Sequence, residues 1–403
     1  MRILIVISDL GGGGAQRSLI SFLQCLDRER LLRDCQIDLL VGNEEGILAD
    51  QVPASVRVIG DMPNIVWMNC PLGTPVLKRH CSLASVLAKI KWILLQRWYP
   101  LRGKRVTIDT LWKSWKSFIP ENPVEYDVAI AYLEGWPTYY VVDKVRARRK
   151  IAWVHNEYQQ LPVDPIYDRG YFTQCDRVIT ISDKCVTSLE EIFPELSNRI
   201  SLLQNISNVE SILQKAKKGQ APEFESANEA IKILSIGRLN PQKNFALAIR
   251  AASLLQDAGL TFRWLILGEG PERPELETLI DSLGLNDYVE LCGIKKNPYP
   301  YIQQCDVFVQ SSRFEGKSIV IDEAKILAKP IVVTDYPTVN DTIIHETTGI
   351  IAHQDSESLA SAILTLLDNS DLRKTLEKDL IADRPDNTEE VAHYIDAMFG
   401  KVM

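Results

Sequence analysis

The sequence predicts an α/β protein made of two Rossmann-like, doubly wound domains that face each other across a cleft. Three observations lead to this fold class. The chain has 403 residues, which exceeds the length at which a single hydrophobic core usually stops growing. Short β-branched runs alternate with longer amphipathic segments, as in βα units around a parallel sheet. A polar, irregular stretch interrupts this alternation near the middle of the chain.

Twelve apolar runs are predicted to be strands, six on either side of the polar stretch. In the first half they are residues 2–8, 36–42, 127–133, 150–156, 177–183 and 200–205. In the second half they are residues 231–237, 263–268, 288–293, 307–312, 330–335 and 348–353. Helices are predicted between them.

The domain boundary is predicted between about residues 206 and 230, where no strand pattern is present. The first domain then comprises residues 1–205 and the second comprises residues 206–385. Pro385 ends a predicted helix. The amphipathic segment within residues 386–403 could cap either domain, and we assign it to the first.

Composition limits the class of protein. Hydrophobic residues make up 46% of the chain and charged residues 24%, which is typical of a globular protein. The apolar run at residues 1–8 ends in glycines without a small-residue cleavage site, so it is predicted to be a buried strand and not a signal peptide. No later run approaches the roughly 18 apolar residues of a membrane span. A cytoplasmic protein is therefore expected.

The eight cysteines form no Cys-x-x-Cys pair, and no histidine stands at ligand spacing from them. This arrangement disfavours a zinc site and a disulfide framework. Buried thiols are expected instead.

One stretch of the chain is strongly basic. Residues 1–200 have a net charge of +2 and residues 201–403 one of -10, yet residues 78–118 hold ten Lys/Arg and a single acidic residue. The stretch also holds four of the eight tryptophans, which are Trp92, Trp98, Trp112 and Trp115. Its apolar residues recur at helical spacing with cations beside them: Leu83, Leu87, Ile90 and Leu94, with Lys89, Lys91 and Arg97.

This pattern predicts a helix with an apolar face and basic borders that docks on an anionic membrane surface. A helix packed on the first domain would show the same apolar spacing. Nucleic acid is disfavoured as a partner, because the rest of the chain is acidic.

Doubly wound sheets bind ligands at the carboxyl ends of their strands. The first predicted strand is followed by four glycines at residues 11–14, and then by Gln16 and Arg17. Such glycines let a ligand approach the backbone and leave helix N-terminal amides for an anion. A dinucleotide fingerprint would need a glycine at position 16 or 17, so nicotinamide binding is disfavoured. A flexible turn is the alternative.

Two cations follow the first strand of the second half. Arg238 comes directly after Gly237, and Lys243 lies five residues later at a predicted helix start. Arginine binds a diphosphate through a planar fork and lysine as a point charge. A solvated loop would explain either cation alone, but their joint position at a strand end favours phosphate binding.

Two carboxylates lie near another strand end. Glu315 follows a predicted strand, and Glu323 lies eight residues later, after a helix has begun. Each carboxylate can accept hydrogen bonds from two vicinal hydroxyls, so the pair suits recognition of a hexose and a ribose. The alternative is a pair of surface acids favoured by the helix dipole.

Four motifs in this order make the chain similar to the retaining glycosyltransferases of family 4 (group 1), which have the GT-B fold. They are Gly237-Arg238 with Lys243, Leu267-Gly268-Glu269-Gly270-Pro271, Gly293 with Asn297-Pro298, and Glu315 with Glu323. The resemblance covers about residues 231–369 and, more loosely, residues 1–30 and 150–205.

The resemblance implies transfer of a hexosyl-type sugar, with retention of configuration, from a nucleotide diphosphate sugar to a saccharide acceptor. UDP is the default carrier, and no other cofactor is implied. A membrane-docked enzyme would take a lipid-linked acceptor, in polysaccharide or glycolipid synthesis on the inner face of the membrane. The first domain would then be the acceptor side and the second the donor side.

The resemblance also implies roles at matching positions. Arg238 and Lys243 would bind the diphosphate and stabilise the leaving group, Glu315 would hold the transferred sugar, and Glu323 would hold the ribose. The other implied donor contacts are Gly13 and Gly14 beneath the diphosphate, His155 at the sugar, Gly237, Ile294 near the base, and Gly316, Lys317, Ser318 and Ile319 through their amides. Arg17 would lie where the acceptor enters.

Two features concern the donor and its metal requirement. An aromatic residue and proline more often follow the Glu-Gly pair than Lys317 and Ser318, which leaves the donor sugar open. Fixed cations and amides can stabilise a diphosphate leaving group, and no Asp-x-Asp pair is present to carry a metal. We therefore expect a metal-independent enzyme.

Three other functions are compatible with part of this pattern. A nicotinamide dehydrogenase and a sugar-nucleotide epimerase share the predicted fold, but the first fails on the glycine spacing and the second would need no acceptor. A non-enzymatic sugar-binding module would not explain phosphate-binding cations in both the turn and the following helix.

Overall fold

A computed structural model describes residues 1–28, 35–43, 46–61, 83–101, 107–225, 230–382, 384 and 390–399. The chain divides into two compact units. Unit 1 comprises Met1–Ile206 with Glu389–Met403, and unit 2 comprises Ser207–Thr388. Each unit is built on its own parallel sheet.

Unit 1 contains a seven-stranded sheet in the order β3-β2-β1-β4-β5-β6-β7. The strands are β1 (Arg2–Ile7), β2 (Gln36–Val41), β3 (Arg57–Asp61), β4 (Glu125–Ala131), β5 (Arg146–Val154), β6 (Arg177–Thr180) and β7 (Ile200–Leu202). The helices between them are α1 (Gly14–Arg28), α2 (Leu83–Leu101), α3 (Ile108–Trp115), α4 (Trp136–Lys144), α5 (Pro165–Phe172) and α6 (Asp183–Ile192).

Unit 2 contains a six-stranded sheet in the order β10-β9-β8-β11-β12-β13. The strands are β8 (Ile231–Ile236), β9 (Phe262–Leu267), β10 (Val289–Leu291), β11 (Val307–Gln310), β12 (Ile331–Thr334) and β13 (Ile350–Ala352). The helices are α7 (Val209–Lys218), α8 (Pro222–Glu225), α9 (Phe245–Asp257), α10 (Arg273–Ser282), α11 (Tyr299–Gln304), α12 (Ile319–Ile326), α13 (Ser356–Asp368) and α14 (Ser370–Ala382). Helix α15 (Glu390–Phe399) follows and belongs to unit 1.

Both sheets are covered on their two faces because successive side chains of a strand point to opposite sides. In β1, Leu4 and Val6 enter one buried cluster, whereas Ile3, Ile5 and Ile7 enter another. Near-continuous apolar runs of this kind are typical of parallel strands buried on both faces.

Helix α15 packs on unit 1. Tyr394 is fully buried, lies 4.9 Å from the ring of Phe22 and 4.8 Å from that of Trp153, and donates to the carbonyl oxygen of Gln204. Val391, Ala397 and Met398 enter the same cluster. The last helix therefore completes a core formed by α1 and the first sheet.

The predicted fold class is confirmed, since each unit is a parallel sheet covered by helices. Each of the twelve predicted strands is present among the described residues, with ends that differ by a few positions. Strand β3 was not predicted. Of the six described cysteines, four are buried and none forms a disulfide.

Strand β3 is attached to the sheet by ionic contacts around one buried carboxylate. Asp38 on β2 is fully buried and accepts two hydrogen bonds from Arg57 on β3, at 2.8 and 2.7 Å. Tyr126 on β4 donates to the same carboxylate at 3.0 Å, and Arg2 on β1 approaches it at 3.4 Å. One carboxylate therefore contacts side chains of three other strands.

Candidate active site

Three neighbouring strands of unit 2 are each followed, within two residues, by a glycine. Gly237, Gly268 and Gly293 follow β8, β9 and β10, and the amide of Gly268 donates to the carbonyl oxygen of Gly293 at 2.9 Å. Gly268 has φ +152, and a Cβ there would overlap the carbonyl oxygen of Gly237. Only glycine fits this close approach. The carboxyl edge therefore presents backbone to a ligand.

The structure brings two predicted site residues into direct contact. Lys243, just before α9, donates to Oε1 of Glu315, in the loop after β11, at 2.6 Å. Their side chains are 17% and 8% exposed. Strands β8 and β11 are neighbours in the sheet, which places the two loops side by side.

The carboxylate of Glu315 is held by further donors. Gln310 and Ser312 donate to Oε1 at 2.9 and 2.5 Å. Oε2 has one long contact, with Nε2 of Gln242 at 3.5 Å. Oε1 is therefore occupied by three donors, and Oε2 retains capacity to accept from a ligand.

Glu323 lies within α12 and is 2% exposed. The hydroxyl of Tyr299, the first residue of α11, donates to its Oε1 at 3.0 Å. The sequence did not predict Tyr299 as a site residue. The available signal was its position directly after the Asn297-Pro298 motif.

Helix α12 begins beside Glu315 with amides that its cap residue does not bind. Ser318 stands at the N-cap position, but its hydroxyl makes no capping bond and donates to Oε1 of Gln310 at 2.7 Å. Gly316 and Ile319 are buried, and Lys317 is half-buried. Such a helix terminus attracts anions and polar groups of a ligand.

The remaining candidates of unit 2 are exposed. Arg238 lies in the turn after β8, and Ile294 follows β10 with 48% of its surface exposed. The loop around Ile294 is tied down because Lys295 pairs with Glu223 of α8, and Tyr301 donates to the same carboxylate at 2.5 Å. The predicted base-binding loop is thus held in place by contacts with α8 and α11.

In unit 1 the glycine loop joins β1 to α1, which begins at Gly14. Oδ1 of Asp9 accepts from the amide of Gly11 at 2.8 Å and from Gln16 at 3.1 Å. Arg17 donates from Nε to the carbonyl oxygen of Gly12 at 3.0 Å. The side chain of Arg17 therefore braces the loop.

His155 is the first residue after β5 and is 7% exposed. Its ring packs on Tyr132 and Trp153, with centroids 5.1 and 6.1 Å apart. Burial lowers the pKa of His155 to about 3, although Tyr132 and Asn205 act in the opposite direction. The imidazole is therefore neutral at neutral pH.

A carboxylate that the sequence did not single out holds the backbone at His155. Glu134 follows β4, and its Oε2 accepts from the amide of His155 at 2.9 Å. Its Oε1 accepts from Nδ2 of Asn156 at 2.6 Å. The position of His155 is therefore fixed from the neighbouring strand end.

The prediction of a membrane-docking surface is wrong for part of its residues. Trp92, Trp112 and Trp115 are 9%, 2% and 3% exposed and belong to a buried cluster of unit 1. Nε1 of Trp112 donates to Asp143 at 2.9 Å. Lys89, predicted to border the apolar face, is 3% exposed. These residues therefore face the protein. The prediction failed because a helix packed on the domain has the same apolar spacing as a helix that docks on a membrane.

The other part of the surface is exposed on α2. Leu87, Ile90, Leu94 and Trp98 are 58%, 46%, 61% and 46% exposed. At about 100° per residue they form one stripe, with the exposed cations Lys91 and Arg97 on its two borders. The side chain of Leu83 and residues 78–82 and 102–106 of the predicted basic stretch lie outside the described residues. Among the helices that are described, none is long and apolar enough to cross a bilayer.

Residues 197–380 match the family model described as "Glycosyl transferases group 1". The chain is also 27% identical over 374 residues to a Campylobacter jejuni protein, covering 92% of this chain and 91% of that one. That relative is named N-acetylgalactosamine-N,N'-diacetylbacillosaminyl-diphospho-undecaprenol 4-alpha-N-acetylgalactosaminyltransferase. A lipopolysaccharide core biosynthesis glycosyltransferase of Rhizobium meliloti, LpsD, is 29% identical over 51% of this chain and 58% of its own length.

Among solved structures, the chain is similar to Anabaena Alr3699/HepE in complex with UDP-glucose, with a TM-score of 0.69 and 16% identity over 98% of this chain and 100% of that one. It is also similar to WaaG, a glycosyltransferase involved in lipopolysaccharide biosynthesis, with a TM-score of 0.61 and 14% identity over 99% and 100%. At these identities the likeness concerns the fold. The similarities give no support to an epimerase or a dehydrogenase.

Proposed function

We propose that this chain, which has the GT-B fold and matches group 1 glycosyltransferases over residues 197–380, transfers a hexosyl-type sugar from a UDP-sugar to a lipid-linked saccharide. The observation that carries this proposal is the Lys243–Glu315 pair beside a strand edge made of backbone. The name of the Campylobacter jejuni relative supports the acceptor, since it specifies a diphospho-undecaprenol saccharide. The step belongs to polysaccharide or glycolipid synthesis.

In the donor site, Lys243 and Arg238 bind the diphosphate, and Glu315 binds the transferred sugar. Oε2 of Glu315 is the oxygen with capacity for a sugar hydroxyl. The amides of residues 316–319 face the same ligand, and their helix start favours negative charge. Glu323 accepts from the ribose hydroxyls, and the backbone at Ile294 contacts the base.

His155 acts as a neutral hydrogen-bond partner for a sugar hydroxyl, since burial keeps its imidazole uncharged. Glu134 orients it through the backbone amide. We assign Gly13 and Gly14 the contacts that the resemblance implies, and Arg17 the bracing of their loop where the acceptor enters.

The chemistry is transfer with retention and without a metal ion. The charge that develops on the departing diphosphate is stabilised by cations and amides fixed before the reaction, which avoids reorganisation cost. Transfer activity is expected to persist in excess chelator. Loss of activity that magnesium or manganese restores would contradict metal independence.

A lipid-linked acceptor implies that the transfer reaction takes place at the inner face of the membrane. The apolar stripe of α2, defined as Leu87, Ile90, Leu94 and Trp98, has the amphipathic character of a helix that lies in the headgroup region. Tryptophan favours that region, and Lys91 and Arg97 on the borders suit anionic lipid. We assign this stripe, and not the buried tryptophans, to membrane docking.

The decisive experiment is a two-stage assay. Thermal shift with a panel of nucleotide sugars identifies the donor, since a ligand bound by the folded state raises apparent stability. The identified donor is then incubated with and without a polyprenyl-diphosphate saccharide, and products are separated by mass. Acceptor-dependent transfer is expected. Conversion of the donor without an acceptor would favour an epimerase, and binding without turnover would favour a sugar-binding module.

A further inference from the structure

The loop that carries Glu315 is braced by side chains at four consecutive positions. The carbonyl oxygens of residues 312–315 each accept a hydrogen bond from a side chain outside the loop. The bonds run from Thr334 to Ser312 at 2.6 Å, Gln354 to Arg313 at 3.2 Å, Gln242 to Phe314 at 3.0 Å and Thr338 to Glu315 at 2.8 Å.

The four donors come from three neighbouring strand ends. Gln242 follows β8, Thr334 ends β12 with Thr338 just beyond it, and Gln354 follows β13. In the sheet, β8 and β12 lie on the two sides of β11. The loop after β11 is therefore held from both sides.

A second set of bonds runs in the reverse direction. The amide of Arg313 donates to the carbonyl oxygen of Gln242 at 2.8 Å, and the hydroxyl of Ser311 donates to that of Lys243 at 2.9 Å. The Glu315 loop and the Lys243 loop are thus joined by backbone as well as by the ion pair.

We propose that Gln242, Thr334, Thr338 and Gln354 are positioning residues that fix Glu315 for the donor sugar. The inference rests on the proposed function. A displacement of about 1 Å at a reacting group can cost on the order of 100-fold in rate, and site side chains hold their geometry only when their surroundings fix them. Four bonded carbonyls leave the backbone of this loop little freedom to shift.

Simple satisfaction of buried polar groups does not account for all four bonds. Gln354 is exposed, yet its amide donates both to Arg313 and, at 2.9 Å, to the carbonyl oxygen of Asp335. Water could satisfy carbonyls at such a site. The side chain of Gln354 therefore links two loops, and this link is not needed to satisfy a buried polar group.

The test compares the binding of the UDP-sugar identified above with that of UDP alone. In the proposed site Glu315 contacts the sugar and not the nucleotide, so Thr338→Val and Gln354→Leu should lose about tenfold in UDP-sugar affinity and in kcat, whereas UDP affinity should fall much less. Thr338→Ser, which keeps the hydroxyl, should restore wild-type behaviour. Calorimetry and steady-state kinetics provide these values.

The matched control is Ser235→Ala, which removes a buried hydroxyl that donates to Val309 at 2.7 Å inside the same sheet. It should lower Tm without changing the gain in affinity that the sugar provides. Variants that keep the full sugar gain, or a serine that fails to rescue, would overturn the positioning role alone. A wild type that binds no nucleotide sugar would overturn the proposed function, and the positioning role with it.

Discussion

At the scale of single residues, the central feature is that Lys243 and Glu315 hold each other in place. Lys243 lies 2.6 Å from a carboxylate that also accepts from Gln310 and Ser312. An ammonium group fixed in this way is already oriented when negative charge develops on a leaving group. In the proposed donor site, the pair therefore connects recognition of the sugar to stabilisation of the diphosphate.

We expect Lys243→Ala and Glu323→Ala each to lower transfer activity by about 100-fold or more while the fold is kept, since each removes a group of the proposed donor site. Turnover and circular dichroism should be measured side by side. Lys378→Ala on the exposed surface of α14 is the control and should retain activity. Wild-type turnover by either site variant would show that its residue is not part of the donor site.

A second residue-scale prediction concerns pH. The unfolded chain protonates His155 below about pH 6.5, whereas burial keeps the folded chain unprotonated there until about pH 3. This residue therefore makes folding stability fall as the pH decreases through that window, by at most about 1.4 kcal/mol per pH unit. Denaturant unfolding at pH 7 and pH 5 should show a smaller pH dependence for His155→Asn than for the wild type. Equal pH dependence would mean that folding does not lower the pKa of His155.

The sequence predicted Lys243 and Glu315 separately but not their contact. Their loops are separated by 72 positions and meet only because β8 and β11 are neighbours in the sheet, which no local spacing reveals. Gln310 was not predicted as a site residue for another reason. It is the last residue of an otherwise apolar strand, so the sequence pattern indicates a strand residue and not a site residue.

At the scale of elements, twelve strands were predictable, including the edge strands β7, β10 and β13, and only the edge strand β3 was missed among the described residues. The six residues of β1 are nearly all apolar, because the strand is covered on both faces. Strand β3 is only five residues long, begins with Arg57 and includes Gly60 and Asp61, and its register with β2 shifts between Leu39 and Val41. Short, charged and irregular segments are typical of sheet edges, and they lack the signal on which strand prediction depends.

The ionic cluster around Asp38 is expected to decide whether β3 stays attached. Asp38→Ala removes the acceptor of Arg57 and Tyr126 and should destabilise the protein by about 2 kcal/mol, since the buried Tyr126 hydroxyl loses its partner whereas the half-exposed Arg57 can be solvated. Amide exchange should increase first in β3. Glu195→Ala is the control, because its pair with Arg169 is exposed, and it should cost less than about 1 kcal/mol. Equal losses for the two variants would contradict a special role for Asp38.

At the scale of the whole molecule, charge is distributed unevenly along the chain. Residues 1–200 have a net charge of +2 and residues 201–403 one of -10, so an anionic surface attracts the first half and repels the second. The cations beside the apolar stripe of α2 lie in the favoured half. Membrane docking through this stripe should therefore depend on both apolar contact and ionic strength.

The corresponding prediction is tested by sedimentation of the full chain with anionic or neutral vesicles at low and high salt. The double substitution Lys91→Ala with Arg97→Ala should weaken binding to anionic vesicles at low salt by about 30-fold, since each cation contributes about 1 kcal/mol near anionic lipid. This loss should shrink at high salt, where charges are screened. The double substitution Leu87→Ser with Leu94→Ser should weaken binding at every salt concentration, because it removes apolar contact that salt does not screen.

The matched control replaces two apolar residues of unit 2 that are equally exposed, Ile344 and Ile381 at 60% and 55%, by serine. It separates a specific stripe from a general effect of apolar surface, since it removes similar side chains from the acidic half of the chain. Equal or absent binding of the wild type to both kinds of vesicle at low salt would rule out electrostatic docking. Equal losses for the control and for the Leu87 and Leu94 variant would show that binding does not depend on α2, and the proposed lipid-linked acceptor would then have to reach the enzyme without this helix.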